Sequence, residues 1–433
     1  MRTIYFLIIV LSSTYISNAQ TWSSVATGTD SYVYTIKEYN SKLYVGGVFL
    51  NTNGIPTNRI SKWDGMTWSA IGTGTNQGIT SLEVYNSELI VGGGFSSAGG
   101  TTSSFGVAKW DENTWSSVGS TGMAFPGIVG ALKVYNNELY AGGNITTADG
   151  NNVGNIAKWS GTNWGPVSAS GGMNVTVSAL GEYNGELYAG GSFTTAGGIS
   201  ADRIAKWNGT NWSAVGTGIN SHVYVLAVYN GELYVGGNFT SAGGTAANYI
   251  AKWNGTNWSA VGSGVNNNVR TLAVYKGELY AGGDFTMANG NPASHIAKWD
   301  GITWSALGTG VDTNVRAMAE YNGDLYVGGD FTSAGGSPAN YIAKWNNPIG
   351  IIELDADIDI NIYPNPATYK IYIEQKDKNI LVKELTLIDV YGTTHKTLMN
   401  DKNEIDISTL NSGMYILVLN TNKGKVRKRI IVQ

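Results

Sequence analysis

Side chains able to do chemistry are sparse in this chain of 433 residues. It holds three histidines, His222, His295 and His395, and no cysteine. Neither His222 nor His295 has a second histidine at ligand spacing, so neither reads as a metal ligand, and thiolate sites are excluded. Paired glycines recur, yet no G-x-x-x-x-G-K-[ST] accompanies them, which makes them strand-ending punctuation and not a phosphate cradle. Asp284 and Asp330 each follow such a pair, where equivalent positions elsewhere hold Val48, Gly94, Asn144, Ser192 or Asn238. That mixture reads as a tolerant turn position. Asp355, Asp357, Asp359 and Asn361 imitate the start of a calcium loop, but Ile360 stands where the loop needs Gly and Pro366 where it needs Glu. The three acids are read as the solvent side of an extended linker. Glu83, Glu182 and Glu320 could meet only through the fold. No catalytic residue, no metal and no cofactor is predicted.

The elements that would have to position any site are written seven times between Trp22 and Trp345. The cleanest copy, Asn230 to Trp258, reads NGELYVGGNFTSAGGTAANYIAKWNGTNW. A Lys-Trp pair closes one apolar run per copy, at Trp63, Trp110, Trp159, Trp207, Trp253, Trp299 and Trp345. A second Trp opens the next run, at Trp22, Trp68, Trp115, Trp164, Trp212, Trp258 and Trp304, and together these account for all 14 Trp in the chain. Each period contains four short apolar or β-branched segments bounded by Gly or Asn, in the fifth copy Val223 to Tyr229, Glu232 to Gly236, Tyr249 to Trp253 and Asn257 to Val261. Four strands in a period of about 46 residues predict the blades of an all-β, seven-bladed β-propeller. The phase of the repeat predicts closure by the N-terminal strand, because Trp22 to Val25 is a fourth strand and the last copy stops at a third. Such pairing hides two sheet edges.

Asn184-Gly185, Asn230-Gly231, Asn208-Gly209 and Asn254-Gly255 predict two-residue turns after first and third strands. The remaining connections are longer and share one face, where loops vary without disturbing the scaffold. At the second position of the first strand the copies carry Tyr34, Thr80, Gly130, Ser178, Tyr224, Arg270 and Arg316. Flanking loops add Phe125, Met173, His222, Asn267 and Asp312. First strands line a propeller's channel, so the expected ligand site is the channel mouth, carried by Tyr34, Phe125, His222, Tyr224, Arg270 and Arg316. Charged residues form 13% of the chain against roughly a quarter in ordinary domains. With no basic stripe, nucleic acid is a poor partner. A surface rich in Asn, Thr, Ser and Tyr suits an extracellular glycan or protein. A polysaccharide-active hydrolase or lyase is the alternative, and a passive scaffold the third.

The GELYVGG, IAKWNGTNW and SAVGTG blocks resemble kelch-type propeller repeats, and more closely those of the fungal cortical polarity-marker family and of secreted bacterial propellers. The resemblance covers about residues 21 to 346 and implies a fold far more than a function. A kelch-type copper oxidase would need a cysteine-modified tyrosine, which a chain without cysteine cannot make.

Residues 1–19 read as a Sec signal peptide: Arg2, an apolar core from Ile4 to Leu11, then small residues up to Ala19. The apolar run is too short for a transmembrane anchor. After a propeller spanning 20–348 and a linker over 349–361, residues 362–433 alternate through strands near Lys370 to Glu374, Glu384 to Tyr391, Glu404 to Ile407, Met414 to Asn420 and Val426 to Val432, a compact immunoglobulin-like β-sandwich. The phrases YPNPA (Tyr363, Pro364, Asn365, Pro366, Ala367), LIDVYG (ending Tyr391, Gly392), IDISTLNSGMYIL (with Gly413, Tyr415) and KRIIV resemble the type A C-terminal sorting domain of the type IX secretion system. This implies a Bacteroidetes-like source, the type IX machinery as partner, and a secreted or outer-membrane surface location.

Overall fold

Seven-residue apolar stretches closed by Asn-Gly-like pairs dictate the local structure of each repeat. The computed structural model of the chain describes residues 21–100, 104–119, 127–346, 360–375, 379, 381–389, 394–396, 400, 403–422 and 424–433. They contain strands and no α-helix. The fifth repeat folds into Val223–Tyr229, Glu232–Gly237, Ile250–Trp253 and Trp258–Ala260, side by side and antiparallel. Seven such four-stranded sheets are present among the described residues. In chain order their first strands are Val33–Tyr39 (sheet 1), Ile79–Tyr85 (sheet 2), Val129–Tyr135 (sheet 3), Val177–Tyr183 (sheet 4), Val223–Tyr229 (sheet 5), Val269–Tyr275 (sheet 6) and Val315–Tyr321 (sheet 7).

The first-to-second turn is the expected two-residue hairpin, with Asn230 at φ 47° and Gly231 at φ 74°. The third-to-fourth turn differs from expectation. It spans four residues between the paired Trp253 and Trp258, and Asn254 Oδ1 accepts the N–H groups of Thr256 (2.9 Å) and Asn257 (2.8 Å). An Asx turn, in which the side chain stands in for a backbone acceptor, uses the same Asn-Gly dipeptide differently. The second-to-third connection also carries an unexpected two-stranded ribbon, Ser241–Ala242 with Thr245–Ala246 in the fifth repeat.

Cores lie between neighbouring sheets. Ile250 and Val261 of sheet 5 pack with Val269, Leu279 and Trp299 of sheet 6, and Val33 and Ile36 of sheet 1 pack with Ala317, Tyr321 and Ile342 of sheet 7. The paired glycines permit this approach: a Cβ on Gly236 would stand 2.5 Å from Val269 Cγ1, and one on Gly237 2.1 Å from the His222 carbonyl. Fourth-strand tryptophans tie six of the seven sheets to the one before, as when Trp304 Nε1 donates to the Val261 carbonyl at 3.0 Å, while the Trp212 N–H of sheet 4 makes no such bond. Thr21–Ser24 pairs antiparallel with Ile342–Asn346, so the N-terminal strand supplies the fourth strand of sheet 7. Trp68 then donates to Val25 (3.3 Å), and the Tyr321 hydroxyl donates to the Ser41 carbonyl (3.0 Å), linking the last repeat to the first.

The chain divides into two compact units, one ending at Asn346. The second contains a three-stranded sheet (Ile360–Tyr363, Lys370–Gln375, Glu404–Asp406) and a four-stranded one (Thr394–Lys396, Val382–Asp389, Gly413–Thr421, Gly424–Val432). Ile371, Ile373 and Ile405 meet Leu387, Leu417, Leu419 and Ile430 in one core. Ile360, assigned to the linker by sequence, is a buried strand residue whose side chain completes that core. The expected signal peptide and the rest of the linker, with Asp355, Asp357 and Asp359, lie outside the described residues.

Candidate functional site

In every first strand the ladder skips its second residue. Val33 pairs with Gly47 and Thr35 with Gly46, leaving Tyr34 as a β-bulge. The same break falls at Thr80, Gly130, Ser178, Tyr224, Arg270 and Arg316. A bulge re-aims a side chain out of the pleat. All seven bulged residues line one cavity of about 530 Å³. Its wall is uneven: sheets 5, 6, 7 and 1 contribute Tyr224, Arg270, Arg316 and Tyr34, while sheets 2, 3 and 4 contribute Thr80, Gly130 and Ser178.

Both arginines are paired. Arg270 Nε and Nη2 reach Asp284 Oδ1 and Oδ2 at 2.5 and 2.6 Å, and Arg316 reaches Asp330 in the same way at 2.5 and 2.7 Å. Asp284 and Asp330, read from sequence as tolerant turn residues, are therefore the fixed counter-ions of the two bulged arginines. The signal was available: Asp occupies this position only in the two copies whose bulge is Arg, 14 residues earlier in both. Burial pushes the Asp284 carboxyl up, but bonds from Arg270 and Asn268 outweigh it and hold the pKa below the ordinary 3.8. Hydrogen bonding to Asp330 raises the Arg316 pKa further against the opposing effect of burial.

Each guanidinium also faces a tyrosine. Arg270 Cζ lies 5.4 Å from the Tyr224 ring centroid, and Arg316 Cζ lies 5.1 Å from that of Tyr34. Burial raises the Tyr34 pKa despite the pull of Arg316. His222, expected in the site, does not itself line the cavity but supports two residues that do, with its ring 4.6 Å from Tyr224 and its Nε2 2.7 Å from Ser178 Oγ. Burial, then the nearby Arg203, lowers the His222 pKa below 6.5, so a neutral imidazole joins sheets 4 and 5.

Other sequence candidates have different roles. Met173 is buried in the core between sheets 3 and 4. Asp312 clamps a loop, accepting the N–H groups of Thr332 (2.9 Å) and Ser333 (3.1 Å), and Asn267 caps its neighbour Asn268. Phe125 lies outside the described residues. The three carboxylates do not gather in the cavity: Glu83 pairs with Lys37 at 2.6 Å, while Glu182 and Glu320 are exposed. In the C-terminal unit, Tyr363 stacks on Tyr372 (5.6 Å) beside Pro364 and Pro366. Asn365 Oδ1 accepts the Ile431 N–H at 2.9 Å, and buried Tyr415, two residues after Gly413, donates to the Asn411 carbonyl at 3.0 Å. Tyr391 and Gly392 lie outside the described residues.

Residues 361–433 match the family model described as Secretion system C-terminal sorting domain, and residues 322–347 match a beta-propeller domain of unknown function, DUF5122. The chain thus joins propeller repeats to a secretion sorting tail. Among solved structures, the extracellular domain of BT3049 from B. thetaiotaomicron aligns at a TM-score of 0.52 and 10% identity, over 95% of this chain and 57% of that one. The WD40 beta propeller domain of Doa1 aligns at 0.47 and 15% identity, over 75% and 95%, and the computationally designed Ika8 protein at 0.47 and 16%, over 76% and 99%. The BT3049 alignment, at 10% identity, speaks to fold alone. No curated protein sequence matches the chain, and neither family match is to kelch or polarity-marker repeats.

Proposed function

We propose that the seven sheets are the blades of a closed, kelch-like seven-bladed β-propeller, and that its bulge-lined mouth binds an extracellular glycan without catalysis. Closure is supported by the N-terminal strand in sheet 7 and by the contacts from Tyr321 to Ser41 and from Trp68 to Val25. Residues 1–19 would be removed on export, 20–348 form the propeller, and 362–433 form an immunoglobulin-like sorting domain handed to the type IX machinery. Truncation after Pro348 is expected to leave the repeats in the periplasm. Normal appearance of that variant in the medium refutes the sorting role.

The convergence of seven bulges on one cavity carries the binding reading. A guanidinium has five N–H donors, and each arginine uses two on its carboxylate, so three remain beside an aromatic face. Each Arg–Asp pair has no net charge. Donors, carboxylate acceptors and tyrosine rings around a volume of this size suit a neutral, hydroxyl-rich ring more than a phosphate. A hydrolase needs a carboxyl with a raised pKa as its acid, and Asp284 is shifted the other way.

The test is a screen of the full chain against neutral glycans, with release of reducing ends followed in parallel. Binding without release is expected, and Tyr34→Ala with Tyr224→Ala should weaken it about tenfold. Glycan cleavage, or capture of a protein with no glycan bound, overturns the proposal.

A further inference from the structure

Six second strands carry Tyr at their third position: Tyr44, Tyr140, Tyr188, Tyr234, Tyr280 and Tyr326, all buried. Each ring packs on the Tyr that ends the first strand of its own sheet, as Tyr229 and Tyr234 do at 5.5 Å. Each also shares a core with the third-strand Trp of the next sheet, Tyr44 with Trp110 and Tyr234 with Trp299 among them. In five of these six strands the first position holds an acid, sheet 1 having Lys42 instead, and in two the phenol donates to it: Tyr140 to Glu138 Oε2 at 3.0 Å and Tyr280 to Glu278 Oε2 at 3.4 Å. In those five sheets the slot holds a phenol with tyrosine on one side, indole on the other and a carboxylate toward its polar end.

In sheet 2 the tyrosine is missing. Ile90 takes its place and packs on Tyr85 and Trp159, but its branch ends short of where a phenol would reach. Both neighbours are uncovered as a result. The six equivalent tryptophans are at most 7% exposed and the six equivalent tyrosines at most 5%, whereas Trp159 and Tyr85 are only half-buried. Between sheets 2 and 3 opens a cavity of about 480 Å³ lined by Tyr85, Ile90, Trp159, Thr162, Glu88 and Lys109. Glu88 keeps its place at the polar end, bonded to Lys109 at 3.0 Å. The Trp159 indole N–H has no hydrogen-bond partner among the described residues, a property it shares with Trp63, Trp110, Trp253, Trp299 and Trp345 and so not itself a mark of the substitution.

We infer that this cavity binds a para-substituted phenol, which replaces the absent tyrosine. Its ring lies between Tyr85 and Trp159, its hydroxyl donates to Glu88, and its oxygen accepts from the Trp159 N–H. The source is either a small free phenol or a tyrosyl side chain presented by another molecule. This site is independent of the channel mouth.

The test labels the indole nitrogens of the full chain and titrates p-cresol while observing the Trp resonances by NMR, with Trp159→Phe assigning the signal. Trp159 should shift most. Toluene, which lacks the hydroxyl, should bind roughly fivefold more weakly. Ile90→Tyr rebuilds the repeat, should fold as the parent does, and should abolish the response. Binding of N-acetyl-tyrosinamide assigns a tyrosyl source, and its exclusion while p-cresol binds assigns a free phenol; either upholds the site. No shift with p-cresol, an equal shift in Ile90→Tyr, or toluene binding as tightly as p-cresol overturns it.

Discussion

Sheets 5, 6, 7 and 1 and sheets 2, 3 and 4 are built from the same repeat but depart from it in opposite ways. The third-strand tryptophans leading into sheets 2, 3 and 4 are 47, 49 and 48 residues apart, and those leading into sheets 5, 6 and 7 are 46 apart each time. In the regular arc, departures add polar atoms in matched pairs: each bulged arginine comes with its own aspartate. In the irregular arc, departures remove atoms: Thr80, Gly130 and Ser178 are short, and Ile90 replaces a phenol. The asymmetry has a physical cause. A partly buried charge without a partner destabilises the sheet that holds it, so added charge must arrive neutralised. A shortened side chain leaves a cavity whose lining loses contacts, which a series of repeated cores tolerates.

Four measurements would break or sharpen that contrast. Removing Thr21 to Thr27 should have the largest effect, lowering the melting temperature by more than about 10 °C in calorimetry, since sheet 7 loses a strand and sheet 1 the carbonyl that Trp68 bonds. An unchanged melting curve would sink closure between the arcs. Next is Arg270→Ala, which strands Asp284 and should cost about 2 kcal/mol in urea unfolding. Because the folded-state pKa of Asp284 is depressed, the pair's contribution is full above the ordinary 3.8 and is lost as pH falls through the lowered value. The parent and Asp284→Asn should therefore converge in stability in strong acid. If their gap persists there, the pairing does not set it. Ile90→Tyr, by contrast, should raise stability by about 1 kcal/mol, and a loss would show that the irregular arc has repacked around isoleucine. The smallest effect belongs to His222→Gln. With its pKa lowered by burial and Arg203, His222 favours folding in its neutral form, so the parent should weaken by under about 1 kcal/mol between about pH 7 and pH 5. Equal slopes in parent and variant would remove His222 from the pH response.

Much of this was legible in the repeat itself. The period placed the first strand of sheet 5 at Val223–Tyr229, and the variable second position pointed to the residues that line the cavity. The bulge that aims them was not legible, because it is a property of register against Gly46 and Gly47 and has no residue type of its own. The Arg–Asp pairs do not show in a column of equivalent positions, because each aspartate takes its meaning from the arginine 14 residues before it. Asn254-Gly255 misled because one dipeptide serves both a two-residue hairpin and an Asx turn, and strand register decides between them. Ile90 looked like an ordinary apolar residue. Only the buried hydroxyls of six tyrosines at that position show that something polar is missing.

The cross-strand tryptophan pairs have an optical consequence. Indole centroids lie 5.1 to 5.4 Å apart in all seven pairs, tilted between 43° and 57°. Chromophores this close, held at a fixed skew, share their electronic transitions and give a paired circular-dichroism band that neither indole shows alone. Each sheet reports its own assembly in this way. The pair in sheet 7, Trp22 with Trp345, joins the first described strand to the last of the repeats, so its share of the signal forms only when those two distant stretches have met.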